Sequence, residues 1–190
     1  MIWVIVAVIV ALLVFVAGAM ALSHRRTARL REGFGPEYDR TLEAHGDQRE
    51  AEADLRRRRN RRRGLEIRPL QPAAREDYAE RWTATQRHFV DAPALAVAEA
   101  DGLVTEVMRE RGYPVDDFEQ RAADVSVDHP ETVEHYRAAH AISVASAAQE
   151  CDTEDLRKAM VHFRALFDDL LHDGAGGTAV RDGHHAQEIS

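Results

Sequence analysis

Cysteine is nearly missing from this 190-residue chain, which contains Cys151 alone. A single cysteine excludes an intrachain disulfide and the paired cysteines of a structural zinc site. This usage fits a reducing compartment, where disulfides do not persist. We interpret Cys151 as a small residue that precedes a helix, and we assign it no reactive role.

The chain also lacks the short motifs that mark common catalytic sites. It contains no Gly-x-Ser-x-Gly, no His-Glu-x-x-His and no glycine-rich loop that leads into a helix. We therefore predict that the protein is not an enzyme and that it uses no cofactor or metal ion. His140 lies on an apolar helix face, and we interpret it as a core or interface histidine with a hydrogen-bond partner. The alternative is an unrecognised enzyme in which His140 works with an acid from a neighbouring helix.

Strand-like alternation of apolar and polar residues is absent outside residues 2–22. Apolar residues recur instead at helical spacing in five stretches between residues 73 and 173. Pro93 and Gly112 mark helix ends, Asp152 or Thr153 begins the last helix, and Asp128 resembles the first residue of a capping box. We predict an all-α protein whose C-terminal part is a small helical bundle.

Charge is unevenly distributed along the chain, whose formal net charge is −8. Residues 1–64 hold 13 basic and 8 acidic residues, whereas residues 65–190 hold 12 and 25. The acidic bundle argues against nucleic acid as a partner. We interpret the acidity of the bundle as a feature that keeps the protein soluble and not as a docking surface for a basic protein.

The longest apolar feature is a run of 21 uncharged residues at positions 2–22. As a helix it spans about 31 Å, close to the ~30 Å hydrocarbon core of a bilayer. It predicts a single N-terminal transmembrane helix, with the lipid bilayer as a partner. The alternatives are a cleaved signal peptide, which expects a basic start and a shorter apolar stretch, and a buried core helix.

Four arginines follow this run within ten residues and supply a basic membrane flank: Arg25, Arg26, Arg29 and Arg31. No lysine or arginine precedes the run. Basic residues near a span favour the cytoplasmic side. We predict an inner-membrane, single-pass protein with its N-terminus outside and its C-terminal domain in the cytoplasm.

The predicted layout has five parts. Residues 1–32 form the transmembrane anchor and basic flank, and residues 33–63 form a hinge and a charged stalk helix. Residues 64–72 form a linker with two prolines, residues 73–173 the helical bundle, and residues 174–190 a disordered tail. The spacing 38, 42, 45, 52, 55 indicates a seam through which the stalk pairs with a second copy.

The end of the stalk carries seven arginines in eight residues, a candidate anion-binding tract: Arg56, Arg57, Arg58, Arg59, Arg61, Arg62 and Arg63. The tract admits several interpretations. In the first, it ends a solvated helix that has its acidic residues first and its basic residues last, in accord with the helix dipole. In the second, it contacts anionic lipid or the acidic bundle. In the third, it binds the phosphates of a nucleic acid.

Several stretches resemble a known family. They are Arg111-Gly112-Tyr113-Pro114-Val115-Asp116-Asp117-Phe118-Glu119-Gln120-Arg121, the segment Ser126-Val127-Asp128-His129-Pro130, and residues 34–39 and 153–157. The chain is similar here to an uncharacterised family of bacterial single-pass membrane proteins, which implies a membrane location but no activity or site residue. We predict a membrane-tethered cytoplasmic helical module that recruits or scaffolds a protein partner. The alternative is a membrane-surface protein that responds to anionic lipid or another polyanion through the arginine tract.

Overall fold

The computed structural model describes residues 2–172, except for most side chains of residues 2–21, and within this range the chain forms eight helices and no strand. They are α1 (Ile2–Phe34), α2 (Pro36–His45), α3 (Gln48–Arg63), α4 (Pro72–Asp91), α5 (Pro93–Arg111), α6 (Phe118–Val125), α7 (Val133–Ala147) and α8 (Thr153–His172). The predicted all-α class is confirmed. The predicted tail, residues 174–190, lies outside the described residues. The chain divides into two compact units, Met1–Arg57 (unit 1) and Arg58–Ser190 (unit 2).

The predicted membrane anchor is wrong. The apolar run and its basic flank form one helix, since α1 continues for twelve residues beyond the run through Arg25, Arg26, Arg29 and Arg31 to Phe34. Among the residues that the structure describes, none of the helices combines the length and the apolar character needed to cross a bilayer. This finding overturns the single-pass transmembrane helix, the inner-membrane location, and the orientation that placed the N-terminus outside and the C-terminal domain in the cytoplasm.

The predicted stalk is also not one helix. Gly35 (φ 45°) separates α1 from α2, and Gly46 (φ 67°) ends α2 in a left-handed conformation. Asp47 then begins α3, since its Oδ1 accepts hydrogen bonds from the backbone N–H groups of the second and third residues that follow, at 2.9 and 3.0 Å. Glycine tolerates positive φ without a steric penalty, so the turn occurs where the sequence provides one.

Glu52 is the polar centre of unit 1. Its Oε1 accepts hydrogen bonds from Thr27 Oγ1 at 2.6 Å, Gln48 Nε2 at 2.9 Å and Tyr38 Oη at 3.4 Å. Burial alone would raise the pKa of Glu52, but these bonds and the charge of Arg56 outweigh it, and the pKa lies below its ordinary value. Two of the side chains that suggested a self-pairing seam, Tyr38 and Glu52, therefore contact each other within unit 1.

Prolines, a glycine and two aspartates set the helix ends in unit 2. α4 and α5 begin at Pro72 and Pro93, where the missing proline N–H has no helical partner to lose. α5 is followed by Gly112 at φ 101°, as its position in the sequence predicted. Asp117 and Asp152 cap α6 and α8, because each accepts a backbone N–H bond from three residues later, at 2.8 and 2.9 Å.

α5 is the central helix of the bundle, in contact with α4, α7 and α8. Trp82 of α4 stacks on Phe167 of α8 with ring centroids 4.6 Å apart. The apolar residues that recur at helical spacing in α8 are all buried: Leu156, Met160, Phe163, Leu166, Phe167 and Leu170. In α7 the sequence pattern Val133, Tyr136, Val144 and Ala147 is only half right, because the first two are buried and the last two are exposed. The five predicted stripes thus correspond to the five helices α4–α8, which share one apolar core.

Candidate functional site

The arginine tract lies at the end of α3, and its members have different partners. In unit 1, Arg56 donates from Nε to the Glu52 carbonyl oxygen at 2.8 Å, and its Nη2 lies 3.2 Å from Glu52 Oε2. Arg57 Nη2 lies 3.0 Å from Asp54 Oδ1. Each of these arginines pairs with a carboxylate one turn earlier on the same helix. Such a pair stabilises a helix by ~0.3–0.5 kcal/mol at an exposed site.

Arg62 contacts the acidic bundle, to which it belongs as part of unit 2. Its Nε donates a hydrogen bond to Asp128 Oδ2. The same oxygen accepts a hydrogen bond from the hydroxyl group of the buried Tyr113, at 2.5 Å. Burial and then the Asp128 carboxylate raise the pKa of Tyr113 far above its ordinary value, so the phenol stays a donor at every physiological pH. For Arg62, the structure favours the interpretation in which the tract contacts the acidic domain.

Arg111 continues this network into the core. It is buried at the end of α5, lies beside Tyr113 with its guanidinium carbon 5.9 Å from the ring centroid, and donates from Nη1 to the Leu170 carbonyl oxygen at 3.0 Å. The same Nη1 lies 3.5 Å from His129 Nε2. Arg111 thereby satisfies a carbonyl near the end of α8, where an intrahelical partner is missing.

His129 uses both of its ring nitrogens. Its Nδ1 lies 2.9 Å from Asp169 Oδ2, which also accepts the Thr132 hydroxyl at 2.8 Å. A proton on Nδ1 suits the carboxylate, and the lone pair on Nε2 then suits Arg111. The ring is only 3 % exposed, so a substrate has no access to it. The His129–Asp169 pair therefore connects the loop before α7 to the end of α8.

We call these side chains the loop network: Arg62, Arg111, Tyr113, Asp128, His129, Thr132 and Asp169. They join the end of α3, the loop after α5, the loop before α7 and the end of α8. The predicted capping box is wrong, because Asp128 accepts from Tyr113 and Arg62 and does not cap α7. Four members lie in residues 111–121 and 126–130, two of the segments that carried the family resemblance, and these two segments contact each other.

His140 has a hydrogen-bond partner, as predicted from the sequence. Its Nδ1 lies 3.3 Å from Asp101 Oδ2 of α5, and its ring stacks on Phe118 with centroids 3.6 Å apart at 11°. The side chain is 25 % exposed, which fits the interpretation of a histidine at a helix interface. Asp101 is also the acid from a neighbouring helix on which the alternative enzymatic hypothesis depends.

A polar cleft of about 430 Å³ lies beside this pair, between α5, α6 and α7. Its polar lining residues are Asp101, Thr105, Glu106, Arg109, Arg121 and Ser143. Arg121 is buried, donates from Nη1 to the Val115 carbonyl oxygen at 3.2 Å and stacks over the rings of Phe118 and Tyr136. The cleft therefore offers charges of both signs and the hydroxyls of Thr105 and Ser143.

The four arginines of the predicted membrane flank lie on the second half of α1, and all are exposed. Arg31 lies 3.7 Å from Asp39 of α2, with its guanidinium carbon 5.0 Å from the centroid of the Tyr38 ring. Arg31 thus joins α1 to α2 within unit 1.

No protein-family model, no curated protein and no solved structure matches this chain. The resemblance to a family of bacterial membrane proteins therefore stays a prediction.

Proposed function

We propose that the protein is an α-helical interaction module with no catalytic step, and that the apolar segment of α1 is its docking element. A protein partner covers that segment. The interaction recruits the acidic bundle to that partner. This proposal keeps the recruiting or scaffolding role expected from the sequence and omits the membrane tether.

The exposed apolar surface of α1 carries the proposal. Six large apolar side chains of the segment are more than half exposed: Trp3, Leu12, Val14, Phe15, Met20 and Leu22. Trp3 is 86 % exposed and Phe15 75 % exposed. With about 200 Å² per aromatic side chain, these two alone present roughly 300 Å² of apolar surface. Covering that area contributes about 7 kcal/mol.

The distribution of these side chains indicates what kind of partner is needed. At 100° per residue, Val14, Phe15 and Met20 lie about 100–140° apart around the helix axis. The segment is therefore apolar on every side, unlike a surface helix with one apolar stripe. A flat docking surface would leave much of it in water, whereas a groove or a group of partner helices would enclose it.

Unit 1 holds the other end of α1 in a defined structure. Thr27 donates to Glu52 of α3 at 2.6 Å, and Leu30 and Phe34 are buried. Arg31 reaches Asp39 of α2. A helix fixed at its polar end presents its apolar end at lower entropic cost than a flexible peptide would.

The arginine tract supports the polyanion hypothesis less well than the exposed apolar segment of α1 supports a protein partner. Arg56, Arg57 and Arg62 already lie against Glu52, Asp54 and Asp128. An external phosphate would have to displace these carboxylates or bind the remaining members alone. The hypothesis of an anionic lipid or polyanion ligand stays a prediction, and we favour the apolar segment of α1.

Site-specific photo-crosslinking in the cells that make the protein tests this function. A benzoylphenylalanine replaces Phe15 in the full chain, and the matched control replaces Val90, which is 83 % exposed on α4 of unit 2. We expect discrete protein adducts from position 15 in excess over position 90. Adding Leu12→Gln should reduce them, since it places a polar group inside the covered segment.

Two outcomes would overturn the proposal. Equal adducts from both positions would mean that the segment has no partner of its own. Flotation of the purified chain with uncharged lipid vesicles, abolished by Leu12→Gln, would mean that lipid covers the segment.

A further inference from the structure

His135 of α7 and His162 of α8 face each other across the contact between these two helices. Their Nδ1 atoms are 2.9 Å apart, and the rings are stacked with centroids 5.1 Å apart at 26°. His135 is exposed and His162 half-buried. Two imidazole nitrogens on different helices thus converge at a place that solvent ions can reach.

We propose that this pair binds one divalent copper or nickel ion through the two Nδ1 atoms. The spacing decides which ions fit. With metal–nitrogen bonds of about 2.0–2.1 Å, nitrogens 2.9 Å apart subtend about 90° at the ion. That is the angle between neighbouring ligands in the square-planar or tetragonal geometry of Cu²⁺ and Ni²⁺. Tetrahedral Zn²⁺ needs about 3.3 Å between the same atoms.

The protonation of the pair suits a metal ion. A neutral imidazole carries one N–H and offers the lone pair of its other ring nitrogen, so both Nδ1 atoms can face an ion when both N–H groups are on Nε2. In the absence of metal, one ring donates an N–H to the other. In the presence of metal, both rings offer a lone pair.

The site is a two-ligand chelate. Among residues 2–172, the described side chains form no group of three or more His, Cys, Asp or Glu around one ion position. Water completes the coordination, as Cu²⁺ and Ni²⁺ allow. The ion would connect α7 to α8, and both helices belong to the bundle core, so binding should stabilise unit 2.

Thermal unfolding of the full chain with NiCl₂ or CuCl₂ tests the site. Every variant also carries His184→Gln and His185→Gln, because adjacent histidines near the C-terminus would compete for the ion. At a hundredfold excess over Kd, we expect Tm to rise by roughly 5–10 °C. Either His135→Gln or His162→Gln should abolish the rise, and Zn²⁺ should produce a smaller one.

His88→Gln is the matched control, since His88 is an exposed histidine 3.2 Å from Glu99 and far along the chain from the pair. It should keep the full metal-dependent rise. The electron paramagnetic resonance spectrum of bound Cu²⁺ gives a readout independent of stability and should show two nitrogen ligands. An unchanged rise in His162→Gln, or a spectrum with one nitrogen in the parent, would show an adventitious ion only and overturn the proposal.

Discussion

Replacing Gly112 with alanine should destabilise unit 2 by about 3 kcal/mol. A Cβ at this position would lie 2.5 Å from the backbone oxygen of Glu66, closer than real Cβ atoms approach any neighbour. The linker that carries Glu66 cannot move aside freely, because Arg68 donates its backbone N–H to the Arg111 carbonyl at 2.9 Å. The residue is also left-handed, with φ 101°.

The magnitude follows from these two effects. The left-handed conformation costs an L-residue with a Cβ about 1–2 kcal/mol relative to glycine. Displacing the linker loses the bond between Arg68 and Arg111, worth about 1 kcal/mol, and strains the loop network next to it. Gly102→Ala should do the opposite. Gly102 lies within α5 with nothing within 4 Å of its added Cβ, so alanine there should stabilise by roughly 0.5–1 kcal/mol.

Urea unfolding followed by circular dichroism and by the fluorescence of Trp82, which stacks on Phe167, measures both variants. Gly112→Asn separates the two causes, since asparagine tolerates the left-handed region but still carries a Cβ. We expect it to be nearly as unstable as the alanine variant. Stability of Gly112→Asn within about 0.5 kcal/mol of the parent would refute the close approach to Glu66.

Three further changes test individual side chains. Tyr113→Phe removes the hydroxyl bonded to Asp128 and should cost about 1–2 kcal/mol in urea unfolding, whereas no loss would show that the bond contributes nothing. His140→Leu leaves the partly buried Asp101 carboxylate without its imidazole and should cost about 1–3 kcal/mol; full stability with a lost cellular phenotype would instead revive the enzymatic hypothesis. The pKa of Glu52 is lower in the folded protein than its ordinary value. The ionised carboxylate therefore stabilises the fold fully above the ordinary pKa, and this stabilisation is lost as the pH falls through the folded pKa. Glu52→Gln should flatten the acid limb of the curve of stability against pH.

Helix ends in unit 2 were predictable because local residues determine them. Pro93 and Gly112 were singled out in the sequence, and the structure places them at the start and just after the end of α5. Asp152 caps α8 as expected. These residues act through their own backbone or through an atom within three residues, so no tertiary information is needed.

The loop network was not predictable in the same way. Arg62 and Asp128 are 66 residues apart in sequence, and His129 and Asp169 are 40 apart. Asp128 followed by Glu131 satisfies a local capping rule, but a buried tyrosine hydroxyl and a guanidinium compete for the same carboxylate and occupy it. The available indication was compositional: Arg111 and His129 lie next to turn residues in the segments that carried the resemblance.

The stalk was misjudged for a different reason. Few apolar residues between positions 37 and 63 indicated a solvated helix, yet Glu37, Thr41 and Glu52 are buried there. Polar side chains can be buried when every one is bonded, and Thr41 donates to the Glu37 carbonyl oxygen at 2.7 Å. Gly46 was visible as the single glycine of this stretch, and it is where the chain turns.

Three arginines of the tract, Arg58, Arg61 and Arg62, belong to unit 2 and are best explained by acidic residues of the same unit. Asp124 is fully buried, and burial raises its pKa while the nearby charges of Arg61 and Arg58 oppose that rise. Arg62 binds Asp128 directly.

If the tract serves the fold, Arg62→Gln should destabilise unit 2, whereas the exposed Arg63→Gln should leave the stability of unit 2 unchanged. If the tract serves an external anion, both substitutions should weaken anion binding alike and leave stability unchanged. Because a salt-screened surface charge contributes little to folding, a stability loss confined to Arg62→Gln would assign that arginine to the loop network.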